Sequence, residues 1–146
     1  GGAGHPVGSH RGTDGTERTI KMSNSLKDKV LLVTGGTSGI GEGCARHFAL
    51  LGARVVIASN QDDRGAALEK EMRGAGHDVR FVSADVAREA SVQAMVARAV
   101  ELHGRIDGVH CNAGVWGKGK VTDFNDAAWD KLMNVNVKSV TRHIAR

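Results

Sequence analysis

From Leu26 onward, apolar and polar positions alternate in blocks of two kinds. Short aliphatic runs such as Val30-Leu31-Leu32-Val33 and Val55-Val56-Ile57-Ala58 read as strands, and longer stretches at helical spacing lie between them. The pattern predicts strands at 30–34, 54–58, 78–83 and 106–111 and helices at 39–51, 62–75 and 89–103. Gly52 and Gly104 stand where a helix stops. In the first helix Ile40, Cys44, Phe48 and Leu51 form one stripe, expected to face inward. Leu68, Met72 and Ala75 do so in the second, and Val92, Met95, Val96, Ala99 and Val100 in the third. A glycine-rich loop follows at 114–120, and Asn125 is placed to cap a helical region at 126–146, bent near Asn134–Asn136. Residues 1–25 show no periodicity and read as an unstructured leader, with Met22 a candidate start. Its histidines, His5 and His10, are isolated, and isolated histidines in a flexible leader are seldom specific metal ligands.

Strand–helix repeats with short connections imply a parallel sheet with right-handed crossovers. The fold expected for residues 26–146 is one α/β domain, a Rossmann-type doubly wound parallel sheet of strand order 3-2-1-4. Its ligand would lie outside the carboxyl ends of strands 1 and 4.

The stretch Thr34-Gly35-Gly36-Thr37-Ser38-Gly39-Ile40-Gly41 sits between the first strand and the first helix. Strand, glycine turn and helix present backbone N–H groups and a positive helix end to a phosphate. Gly35 turns the chain, Gly39 lets a pyrophosphate approach, and Gly41 lets the helix lie on the strand. The bland alternative is an ordinary glycine-rich loop. Asp85 and Val86 follow the third strand, on the ligand side; on spacing alone the alternative is a solvated turn aspartate. Asn112-Ala113-Gly114 closes the fourth strand, by itself a weak turn signal. Asn134 and Asn136 are unfavourable inside a helix and ask for a reason, the alternative being two surface asparagines. At the end of the second strand, Ser59 occupies the place where a carboxylate would accept the ribose hydroxyls of NAD and repel a 2′-phosphate. Asn60 follows, with no arginine there or in the glycine turn to pair with that phosphate. Arg64 is expected to face water. The balance slightly favours NADP over NAD.

Composition narrows the classes. A net charge of +4 over 146 residues is scattered, with no basic stripe interleaved with aromatics, so nucleic acid is not an expected partner. Cys44 and Cys111 are too few and too far apart for a disulfide framework or a zinc site, and no metal is expected. Both read as buried thiols, which suits a reducing compartment. No apolar run reaches membrane-spanning length. Cytoplasmic location without membrane association is the expectation.

Thr-Gly-x-x-x-Gly-Ile-Gly at 34–41 resembles the cofactor loop of the short-chain dehydrogenase/reductase family. The resemblance implies NAD(P) binding by Thr34, Gly35, Thr37, Ser38, Gly39, Ile40 and Gly41. It implies that Asp85-Val86 contacts the adenine amino group. Cys111-Asn112-Ala113-Gly114 is similar to the family's Asn-Asn-Ala-Gly, with Cys111 replacing the first Asn. Asn112 would then brace the sheet and the cofactor loop, and Val115 would continue the cofactor wall. The stretch from Trp129 to Asn136 matches the layout in which an asparagine helps hold the catalytic water chain, and Asn136 is the better candidate.

The resemblance reaches only the family's first half. Family enzymes carry a Ser after a fifth strand and a Tyr-x-x-x-Lys on the next helix; this chain has no tyrosine, and the reading is of a chain truncated before the fifth strand. Two functions follow. One is an NAD(P)-dependent oxidoreductase of an alcohol or carbonyl substrate, inactive as this chain alone. The other is a non-catalytic dinucleotide-binding module. The resemblance also implies a homo-oligomer, and an open edge on strand 4 predicts marginal stability or self-association.

Overall fold

The computed structural model describes residues 25–123 and 125–144. The predicted leader, with Met22, His5 and His10, lies outside the described residues apart from Ser25, as do the last two positions of the final helical region.

Chain order is β1 (Val30–Thr34), α1 (Gly39–Leu50), β2 (Arg54–Ser59), α2 (Asp62–Gly74), β3 (Val79–Ser83), α3 (Glu89–His103) and β4 (Gly108–Cys111). A short 3-10 turn at Val121–Asp123 precedes α4 (Asp126–Met133). A π-helical segment (Asn134–Lys138) then runs into α5 (Ser139–Ile144). The strands form one parallel sheet in the order β3-β2-β1-β4, as the repeat pattern predicts. In register, Thr34 stands beside Ala58 on one side and Cys111 on the other, so three strand ends meet at one level.

Each face of the sheet is packed. Val33, Val55 and Ile57 meet Ala45 and Ala49 of α1 and Leu68 and Met72 of α2. On the opposite face Leu32, Val56 and Ala58 meet Val92, Met95 and Ala99 of α3 and Val135 of the π-helical segment. Each fully buried aliphatic side chain contributes about 1.5–3 kcal/mol. The continuous apolar runs of β1 and β2 are explained by this double coverage.

Several predicted positions are corrected. Ile40 is 78% exposed and Leu51 only half-buried; the stripe α1 buries is Gly41, Ala45 and Ala49. The cause is distance: small residues bring this helix close to the sheet, and the larger side chains are left at its margins. Ala75 is exposed beyond the end of α2, and Val100 is 42% exposed on α3. β4 begins at Gly108 rather than residue 106. Asp107 prevents an earlier start. Its N–H donates to Val30 O (2.8 Å) while its carboxylate accepts from Val30 N (2.9 Å), which takes the place of a ladder step. Cys44 and Cys111 are half-buried free thiols rather than fully buried ones. The bend expected near residues 134–136 is a π-helical segment, through which the helical arm continues.

Candidate functional site

The glycine turn is shaped from both neighbouring strands. Gly35, at φ +64°, donates its N–H to Ala58 O of β2 (2.8 Å). From the β4 side, the Asn112 side-chain amide donates to Thr34 O and Gly35 O, each at 3.2 Å. Ala113 N donates to the Thr34 hydroxyl at 3.2 Å. A Cβ on Gly41 would stand 2.3 Å from Gly35 O and 2.4 Å from Asn112 Nδ2, so α1 can rest on the turn only with glycine there. Gly39 is the converse: it has φ +53°, and a Cβ on it would meet nothing within 4 Å. That open cradle, at the first turn of a helix, suits a phosphate group. Ser38 precedes α1 in extended conformation; its carbonyl accepts from Glu42 N (3.2 Å), but its hydroxyl makes no capping bond to the first-turn amides.

At the end of β2, the Thr37 hydroxyl lies 3.0 Å from Ser59 Oγ and 3.2 Å from Gln61 Oε1, and Gln61 N donates to Ser59 Oγ at 3.2 Å. This neutral polar network fixes the β2 end against the glycine turn. At the end of β3, Asp85 N donates to Ser91 Oγ (2.9 Å) and the Asp85 carboxylate accepts from Ala87 N (3.0 Å), which folds the loop back on itself. At the end of β4, Asn136 and Val115 exchange two bonds, Val115 N to Oδ1 and Nδ2 to Val115 O, each 2.8 Å. The Cys111 thiol at this strand end is pushed up in pKa by burial, which keeps it protonated.

These four strand ends enclose a groove of about 620 Å³. The glycine turn contributes Gly35, Thr37 and Ser38 to its lining, β2 contributes Ser59 and Asn60, and the β3 loop contributes Asp85 and Val86. Asn112, Ala113 and Gly114 line it from β4. The remaining predicted positions stand around it: Thr34 is buried beneath the turn, Gly39 and Ile40 begin α1 at the surface, Gly41 is buried, and Asn136 holds Val115 from outside. Arg64 is exposed on α2, as expected. The sequence reading passed over Lys131, the cation that lines the groove. It stands one helical turn before Val135, a spacing that could have drawn attention to it once Asn134 and Asn136 were in view. Lys131 and Val115 also line a neighbouring hollow of about 230 Å³ with Trp116, and Lys118 Nζ sits 4.8 Å from the Trp116 ring centre. Among the described residues, no group of three or more His, Cys, Asp or Glu could hold a metal ion, and no helix is long and apolar enough to cross a membrane.

A doubly wound parallel sheet, a glycine turn entering a helix and a groove across the carboxyl ends of β2, β3, β1 and β4 form the setting for comparison with known proteins. Oxidoreductase UcpA of Salmonella typhimurium is 44% identical over 115 residues, covering 79% of this chain and 43% of that protein. Sex determination protein tasselseed-2 of Zea mays is 40% identical over 151 aligned positions, covering 94% of this chain and 44% of that protein. Among solved structures, a short chain dehydrogenase/reductase from Burkholderia phymatum in complex with NAD superposes with a TM-score of 0.79 at 32% identity. That alignment covers 82% of this chain and 43% of that one. The chain thus spans under half the length of these relatives. Residues 29–145 match the family model described as short chain dehydrogenase, and the chain belongs to that family.

Proposed function

We propose that the groove binds a nicotinamide dinucleotide, and that the whole protein is an NAD(P)-dependent oxidoreductase acting on an alcohol or carbonyl. The observation that carries this reading is the Asn112 amide donating to two successive carbonyls of the glycine turn. It sets the turn in a fixed shape beside the open cradle at Gly39. When bound, the cofactor supplies hydride chemistry. The chain's own residues hold and orient it: the glycine turn and the first turn of α1 take the pyrophosphate, Ser59 and Asn60 the adenosine ribose, and Asp85-Val86 the adenine. Asn112, Ala113, Gly114 and Val115 wall the nicotinamide side. Asn136, through Val115, keeps that wall in place and is our candidate for holding the catalytic water chain.

Either dinucleotide is compatible with Ser59, which carries no charge against a 2′-phosphate, and we favour NADP slightly. This chain contains no tyrosine to move a substrate proton, so it is expected to bind cofactor without turnover; as a piece by itself it is a dinucleotide-binding module. Titration calorimetry of the chain with NADH and with NADPH tests this. Saturable binding of both, with NADPH at least equal to NADH, is the expected result. No heat of binding from a chain that circular dichroism shows to be folded would overturn it.

A further inference from the structure

The helical arm after β4 touches both loops that bound the groove. Its π-helical segment holds Val115 through Asn136. Farther along, on α5, Arg142 reaches the other loop: Nη1 donates to Ala87 O at 2.8 Å and to Val86 O at 3.3 Å. Val135 and Ser139 are buried and Arg142 is half-buried. The Ser139 hydroxyl donates to Val135 O at 2.6 Å, and Arg142 extends beyond them to the loop after β3.

The loop that Arg142 grips lines the groove beside Ser59 and Asn60. In a doubly wound fold the adenosine ribose lies at the end of β2, so the base beyond it lies on this loop. The loop's other bonds are within itself and the start of α3 (Asp85 N to Ser91 Oγ, Ala87 N to the Asp85 carboxylate, Arg88 N to Asp85 O), with Ala84 N bonded to Ser59 O of the adjacent strand. They fix its curl. The two bonds from Arg142, which span 55 and 56 residues of sequence, tie that curl to the far side of the groove.

We propose that Arg142 is a positioning residue for the adenosine half of the cofactor. It draws the Val86 and Ala87 carbonyls toward the helical arm and so sets Asp85 and Val86 as the wall for the base. The inference rests on the dinucleotide reading above.

The test compares the full chain with Arg142→Ala and Arg142→Lys, using ADP affinity by calorimetry and amide hydrogen exchange read segment by segment. Arg142→Ala is expected to weaken ADP about tenfold, the scale of a hydrogen bond from a charged group, and to speed exchange at residues 85–88 while α1 keeps its protection. Arg142→Lys, which keeps a cationic donor, is expected to restore most of the ADP affinity. A generally structural role would instead raise exchange throughout and show no rescue, and that result overturns the proposal. Equal ADP affinity in wild type and Arg142→Ala overturns it too. Should Arg142→Ala not fold, Arg142→Gln makes the same comparison. A folded wild-type chain that binds no ADP or NADH overturns the dinucleotide reading, and the Arg142 role with it; an ADP-binding wild type unaffected by the substitution overturns the Arg142 role alone.

Discussion

Single residues set the terms at which a phosphate can enter. Gly39 and Gly41 are two positions apart and fail in opposite ways when a methyl is added. Gly41→Ala puts a carbon 2.3 Å from a backbone oxygen, and backbone cannot swing aside as a side chain can. Urea denaturation is expected to show a loss of about 1–3 kcal/mol. Gly39→Ala meets open space and suffers only its left-handed backbone, about 1 kcal/mol, yet its methyl occupies the proposed phosphate cradle. It should remain folded and lose dinucleotide affinity by more than tenfold in calorimetry. Ser59→Asp tests the other end of the groove. A carboxylate there is expected to cut NADPH affinity at least about tenfold, through repulsion in a partly desolvated site, and to leave NADH binding equal or stronger. Much of this was legible in the sequence, because glycine spacing is a direct statement about close approach. Arg142 was not, because a cation that reaches a loop from a distant helix leaves no local pattern, and Lys131 offered only its helical spacing to Val135.

Elements were readable where a strong period met a clear stop, and misread where packing obeyed size instead of hydrophobicity. The first three strands and the first three helices stand within a residue of their predicted places, and β4 starts two residues late. The inner face of α1 differs: Ile40 marked the stripe by its apolarity, whereas the sheet accepts Gly41, Ala45 and Ala49 by their smallness. The last turn of α3 carries a second consequence of packing. The His103 side chain is 5% exposed and its Nε2 has no partner. Burial, more than the opposing pull of Asp78 at 4.0 Å, holds its pKa below the ordinary 6.5, and Arg54 and Arg80 push the same way. The unfolded chain therefore takes up a proton near pH 6.5 that the folded chain refuses, so stability is fully present above that pH and declines as pH falls below it. Melting temperature should drop between pH 7 and 5.5 more steeply in wild type than in His103→Leu. Asp107, held below its usual 3.8 by the Val30 N–H and then Arg105, contributes in a separate window and is lost only at stronger acidity.

At the scale of the whole molecule the sheet has two edges. β2 and β1 have a neighbour on each side, while among the described residues β3 pairs with β2 alone and β4 with β1 alone. Val109, on β4, is 39% exposed. A free parallel edge beside an apolar side chain favours pairing between copies. Sedimentation velocity is expected to show association that grows with concentration, and Val109→Lys should suppress it without lowering the monomer's melting temperature. A monomer at every concentration would remove the prediction. The sheet order was legible because four short-linked repeats admit few topologies; the arm beyond β4 was legible as a helix capped by Asn125 and bent near residues 134–136, but not in the contacts its far end makes.

That arm holds an inserted residue. A π turn has one more residue than the α turn it replaces, and the helix beyond it is rotated by about 100°. The five residues Asn134–Lys138 thus decouple the two ends of the arm: Asn136 turns to one loop and Arg142 to the other. Were the same residues wound as an unbroken α-helix, with none removed, Arg142 would be turned by about 100° relative to Asn136, and such a rod could grip one wall of the groove but not both.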